Sequence, residues 1–298
     1  MTGLGALIRR NVKLFFHDKG MFFTSLITPL ILLVLYGTFL AGIYRDSFTS
    51  ALPAFFSVEE SLIDATVGGQ LASSLLAVSC VTVAFCSNLL MVQDKVSGAR
   101  RDLTVSPVRR STLAVGYFCA SALTTLIVSV TAYAVCLAYL GCMGWYLSAA
   151  DVLALLLDVV LLTLFGVALS SCVNFFLSTS GQASAVGTIV SAGYGFLCGA
   201  YMPISNFSEG LQKALSFLPG TYGTSLLRNH ALRGVYAELR AAGFPDEAVE
   251  MIRDSIDCNL YFYGEKVSVP AMYLILIAAV AVLTALYVLL NVLSAKRR

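Results

Sequence analysis

The sequence predicts an all-α membrane fold of six transmembrane helices, and three observations carry that prediction. Only 12% of the 298 residues are charged while 58% are hydrophobic, and mean hydropathy reaches +0.83, outside the range of soluble globular domains. Six apolar stretches, approximately 21–43, 66–92, 113–141, 151–174, 182–202 and 269–293, meet the roughly 20 residues a helix needs to cross a hydrocarbon core. Lys and Arg are also unevenly divided between the two sides that these stretches define.

The elements follow in chain order. Residues 1–20 predict an interfacial helix. At a step of roughly 100° per residue, Leu4, Leu7, Ile8, Leu14 and Phe15 share one side and Arg9, Arg10, Lys13 and His17 the other, as in a helix lying on the cytoplasmic membrane surface. The first apolar span begins too late, and lacks a small-residue cleavage site, for a removed signal peptide. With the N-terminus inside, twelve of the nineteen Lys and Arg residues fall on the cytoplasmic side and seven outside. Both termini are therefore expected in the cytoplasm.

Between the second and third stretches lies a basic polar island, 93–112. Ser97 to Leu103 predicts a short helix, which Ser106 and Pro107 would end because the residue before proline is pushed out of the α region. Asp158 is the one acid well inside a span. A group at that depth is expensive and reads as functional by default. The sequence leaves open whether it faces a transport path, binds a cationic cargo, pairs with a neighbouring helix, or is hydrated near the outer interface. The residues "LSTSGQAS", 177–184, read as a turn.

The fifth stretch is crowded with small residues, and Gly195 and Gly199 have the spacing that lets helix backbones approach. Tyr194 and Phe196 there are candidates for lining a path. The following segment, 203–268, is expected outside, with a helix starting after Pro245 and carrying Ala248, Val249, Met251 and Ile252 on one face. Its role is open between a cap on the exit, a contact for an extracellular factor and a passive cover. Six of the eight cysteines fall within spans and Cys142 at a span end; only Cys258 falls in a loop. No disulfide framework or metal-ligand spacing is expected.

"DKVSGARRDLTVSPVRR", residues 94–110, resembles the first cytoplasmic loop of ABC-2 type permeases, the membrane subunits of ATP-driven exporters. Asp94, Lys95, Gly98, Asp102, Leu103, Ser106, Pro107 and Arg110 fit its pattern, whereas Val96 and Arg101 stand where acids are common. A second likeness runs through 201–234, carried by Pro203, Leu211, Leu215, Pro219, Tyr222, Arg228 and Gly234.

The resemblance implies a permease that pairs as a homodimer or with a related permease, in a bacterial cell membrane. Its coupling helix would sit in a cleft of a separate ABC ATPase, present in two copies. The contact would involve Asp94, Lys95, Gly98, Arg100, Arg101, Asp102, Leu103, Ser106, Pro107 and Arg110. ATP and magnesium would bind that partner, and no cofactor this chain. The sequence agrees, because a phosphate-binding G-x-x-x-x-G-K-[ST] loop needs a Gly-Lys dipeptide and none is present.

Cargo is expected to be hydrophobic or amphipathic, such as a drug, as in multidrug efflux, a peptide or a lipid, with polysaccharide or teichoic acid as the alternative. An intramembrane enzyme is disfavoured because both histidines, His17 and His230, are predicted outside the spans. An ion-coupled carrier would show internal repeats, and the halves show none. Basic residues without interleaved aromatics exclude nucleic acid as a partner.

Overall fold

The computed structural model describes residues 3–42, 45–46, 59–105 and 110–296. Helix α1 (Gly3–His17) meets α2 (Lys19–Leu35) at a bend of 71°. Asp18 makes the corner, its carboxylate accepting from Met21 N at 3.1 Å and so capping α2. Helix α2 continues through a π-helical stretch, Tyr36–Leu40, and the Tyr36 hydroxyl donates to Ala200 O at 2.6 Å.

The centre of the bundle is α3 (Glu60–Val96), 37 residues long and buried along nearly its whole length. Around it stand α5 (Arg110–Met143), α6 (Ala149–Phe176), α7 (Ser180–Leu197) and α12 (Val269–Lys296), while the short α4 (Ala99–Val105) joins α3 to α5. Buried hydroxyls and amides fasten these helices where apolar side chains alone give no preference over lipid. Ser87 Oγ lies 2.6 Å from Ser121 Oγ and 2.9 Å from Thr125 Oγ1. Asn88 Nδ2 donates to Ser170 at 3.0 Å and to Ser171 at 2.7 Å.

Among the described residues four helices, α3, α5, α6 and α12, are long and apolar enough to cross a membrane, and the bent α1–α2 pair is a fifth if counted as one span. The first and fifth predicted stretches do form helices, α2 and α7, but neither reaches that measure alone. In α7 the cause is its Gly and Ser content.

One end of the bundle gathers Leu7, Met91, Leu113, Tyr117, Cys172 and Tyr287 into one cluster, so α1, the end of α3, the start of α5 and the end of α12 share that end. At the other end the start of α3 packs against α10 (Arg233–Ala241) and α11 (Asp246–Ser255) through Leu62, Ile63, Leu239, Val249 and Ile252. Val249 and Ile252 are buried, whereas Met251, expected on the same face, points out. A hairpin pairs β1 (Tyr261–Phe262) with β2 (Glu265–Lys266). Glu250 ties this end together, accepting from Arg253 and Lys266 at 2.7 Å and from Asn259 at 2.9 Å. Burial pushes its carboxyl up, but the bonds from Lys266 and Asn259 and the charge of Arg253 outweigh it and hold the group down to about 2.

Two expectations are corrected. The apolar face of α1 is turned: Leu7, Asn11 and Phe15 are buried, Leu14 is exposed, and Arg10 leaves the other cations to meet a buried carboxylate. The segment 203–268 does not lie wholly outside the bundle. After α8 (Glu209–Leu215), α9 (Pro219–Ala231) is buried from Gly220 onward and packs on α3, α6 and α12. Cys258 lies in a loop, as expected, and is buried there, with its Sγ 3.2 Å from the Tyr236 hydroxyl. All eight cysteines are free, and Cys142 is the exposed one.

Candidate functional site

At the α4 end, the last turn of α3 carries two adjacent charges with different partners. The buried Asp94 carboxylate accepts from both Arg10 guanidinium nitrogens, at 2.7 and 2.9 Å, and from the Tyr117 hydroxyl at 2.5 Å. Lys95 Nζ donates to the carbonyls of Asn174, Phe175 and Leu177, at 3.0, 2.7 and 2.7 Å. A helix leaves its last carbonyls unpaired and partially negative, and an ammonium there satisfies both properties. Asp94 thus binds α1 and α5 to α3, and Lys95 binds the end of α6.

Gly98 then turns the chain with φ +85°, a left-handed conformation that side chains with a Cβ resist. The helix it releases begins at Ala99, two residues later than predicted. Arg101 and Asp102 are exposed and Arg100 is half-buried, while Leu103 packs towards the Leu7 and Tyr117 cluster. Ser106 and Pro107 lie outside the described residues, as does the side chain of Arg110. On α1, Arg9, Lys13 and His17 are exposed.

Asp158 is buried and has two partners. Its Oδ2 lies 2.6 Å from His230 Nδ1 on α9, and its Oδ1 accepts from the Tyr273 hydroxyl on α12 at 2.6 Å. Of the open readings, the one observed is pairing with neighbouring helices, and the histidine expected outside the spans is half of it. Two residues earlier on α9, the fully buried Arg228 donates to Gly199 O at 2.5 Å, Ile256 O at 2.9 Å, Ser74 Oγ at 3.3 Å and Asp257 Oδ2 at 3.4 Å. It joins α3 to the end of α7.

A cleft of 1180 Å³ opens between α2, α3 and α7. Ile27, Ile31 and Leu35 form its α2 wall, Val67 and Leu89 its α3 floor and Phe196 part of its α7 wall, with Thr24, Thr28, Thr66, Ser184, Thr188 and Ser191 between them. Gln70 lines it too. It is 2% exposed, and its Nε2 has no partner among the described residues. Such a surface accommodates a largely apolar molecule and offers it scattered hydrogen bonds.

The three path candidates are not together. Phe196 lines the cleft, Tyr194 faces α9 from the opposite side of α7, and Asp158 stands between α6, α9 and α12. The Gly195–Gly199 spacing serves the chain's own turn. A Cβ at Gly195 would strike the Tyr201 ring, and Gly199 has φ +74° where α7 ends.

A family profile described as ABC-2 family transporter protein matches residues 49–287, from before α3 to the last third of α12. The chain belongs to the ABC-2 family. It is a membrane-transport component and not an enzyme, and membership implies association with an ABC ATPase component. No curated protein matches the chain. In this permease, sequence reasoning missed His230, Tyr273 and Gln70 as site residues. Gln70 left a usable signal, a long polar amide in an apolar stretch. His230 and Tyr273 are 72 and 115 residues from Asp158 and left none.

Proposed function

We propose that the chain is the membrane-spanning subunit of an ATP-driven exporter whose cargo is hydrophobic or amphipathic, in the manner of a drug, peptide or lipid. The observation that carries this reading is the cleft between α2, α3 and α7, apolar in its walls and dotted with hydroxyls. In the working transporter a second permease copy faces it, and an ATPase subunit docks on each α4 end, through the exposed Arg101 and Asp102 and the loop that follows. That end and both termini then lie in the cytoplasm, six helices cross the bilayer, and ATP and magnesium are held by the partner. Closure of the ATPases would push α4, and the bundle would change its packing as rigid helices.

The reading is tested by purifying the permease with its native ATPase, reconstituting the complex and following the efflux of Nile red. Efflux that requires ATP and is lost in Ile31→Trp, which fills the cleft, supports the proposal. Efflux that persists without hydrolysis, or that follows an imposed ion gradient, overturns it.

A further inference from the structure

The hairpin between α11 and α12 holds a bulky side chain in a backbone conformation that disfavours it. Its two-residue turn, Tyr263 and Gly264, has positive φ at both positions, +51° and +91°. Asparagine, aspartate or glycine suits the first of these, and a large ring there is an outlier. Strain of this kind persists where the side chain has a use. Tyr263 is 65% exposed, so packing within the chain is not that use.

Two further exposed rings join it. Phe217, in the turn between α8 and α9, is 62% exposed, and its ring lies 5.2 Å from that of Phe262 and 6.3 Å from that of Tyr263. Phe262 and Tyr263 are 5.0 Å apart. The charged side of the hairpin is fastened elsewhere, with Lys266 Nζ donating to Glu250 on α11 at 2.7 Å. The aromatic end is left uncovered.

The depth of this end follows from the chain. Lys266 closes the hairpin, and from Val269 onward α12 is apolar, with Leu274 and Ile277 exposed on its surface. A water-to-hydrocarbon boundary that keeps the ammonium wet and buries α12 in lipid therefore passes beside the hairpin. Aromatic rings concentrate in that layer. The patch is also continuous with the lipid-facing side of the bundle, because Leu218, next to Phe217, shares a crevice rim with Val282 on α12 and both are exposed.

We propose that Phe217, Phe262 and Tyr263 form an anchor seated in the headgroup and glycerol layer of the leaflet away from α4. It holds the hairpin, and through Phe217 the start of α9, at a fixed depth against the bilayer. The anchor is independent of the cargo and of the direction of transport.

Trp145 is the one tryptophan of the chain, so Trp145→Phe gives a dark background for the full permease in phosphatidylcholine liposomes. In that background Tyr263→Trp and, separately, Phe217→Trp report depth. Both should emit to the blue, resist iodide supplied on both sides, and be quenched more by phosphatidylcholine brominated near the ester than by the same lipid brominated near the chain end. Tyr263→Asn suits the turn and should keep the hairpin's hydrogen-exchange protection in detergent, yet open the Phe217→Trp probe to iodide. A probe that stays shielded in that variant would remove Tyr263 from the anchor. Red emission with full iodide access and no effect of bromine would place the rings in water and overturn the proposal. Stronger quenching from the chain end would place them in the hydrocarbon and overturn the layer assigned. Shielding without bromine quenching, together with a disulfide between copies in Cys142→Ser/Tyr263→Cys, would put a second permease on the patch and also overturn it.

Discussion

Removing the Asp158 carboxylate should loosen α9 while leaving the rest of the bundle folded. The group is 1% exposed and makes two contacts of 2.6 Å, to His230 and Tyr273. Interhelical hydrogen bonds in membrane bundles contribute about 0.6 kcal/mol on average and about 1.7 at most. The Tyr273 contact is therefore expected to contribute about 1–2 kcal/mol. Asp158→Ala strands both partners between helices and should cost about 3–5 kcal/mol, as when one member of a buried pair is deleted. Asp158→Asn keeps a carbonyl for Tyr273 and should cost less.

The assay is unfolding in mixed micelles for Asp158→Ala, Tyr273→Phe and the double variant, with hydrogen exchange across α9. The cycle should show coupling above about 1 kcal/mol, and exchange in Asp158→Ala should rise at Ser225 to Ala231 but not in α3. Single effects that add within about 0.3–0.5 kcal/mol, or unchanged exchange in α9, would refute the clamp.

Replacing Gly98 to Leu103 with a flexible linker should abolish ATP-driven efflux without affecting membrane insertion; normal efflux would remove α4 from the coupling role. Arg10→Ala should free α1, seen as faster proteolysis near its exposed residues, and Asp94→Asn should do so more weakly because a neutral acceptor remains for Arg10. Glu250 makes the α11 and hairpin end acid-sensitive. Its folded pKa lies below the ordinary 4.5, so its contribution is complete above that pH and is lost as pH falls towards 2. Hairpin exchange should accelerate across that window, and Glu250→Gln should show the same acceleration at pH 7; a variant as protected as the wild type would rule out the charge network.

Hydropathy made the long helices legible, because the stretches 66–92, 113–141, 151–174 and 269–293 each lie within one helix that extends beyond them. It also located Asp158, since one acid among apolar residues is conspicuous. It failed on α9 for a physical reason. Its sequence, PGTYGTSLLRNHA, is polar enough to read as external, yet in the fold Arg228, Asn229 and His230 all find buried partners. Polarity measures the cost of burial only until a partner appears, and these partners are distant in sequence. The same limit hid the turn of α1. The 100° step separates cations from apolar residues, but it cannot show that Arg10 meets a carboxylate 84 residues away.

The cysteine distribution has a practical consequence. Seven thiols are shielded to some degree, whereas Cys142 stands open where α5 ends, at the end away from α4. A membrane-impermeant maleimide applied to intact cells therefore reads the orientation of the native chain at a single natural position, before any residue is changed.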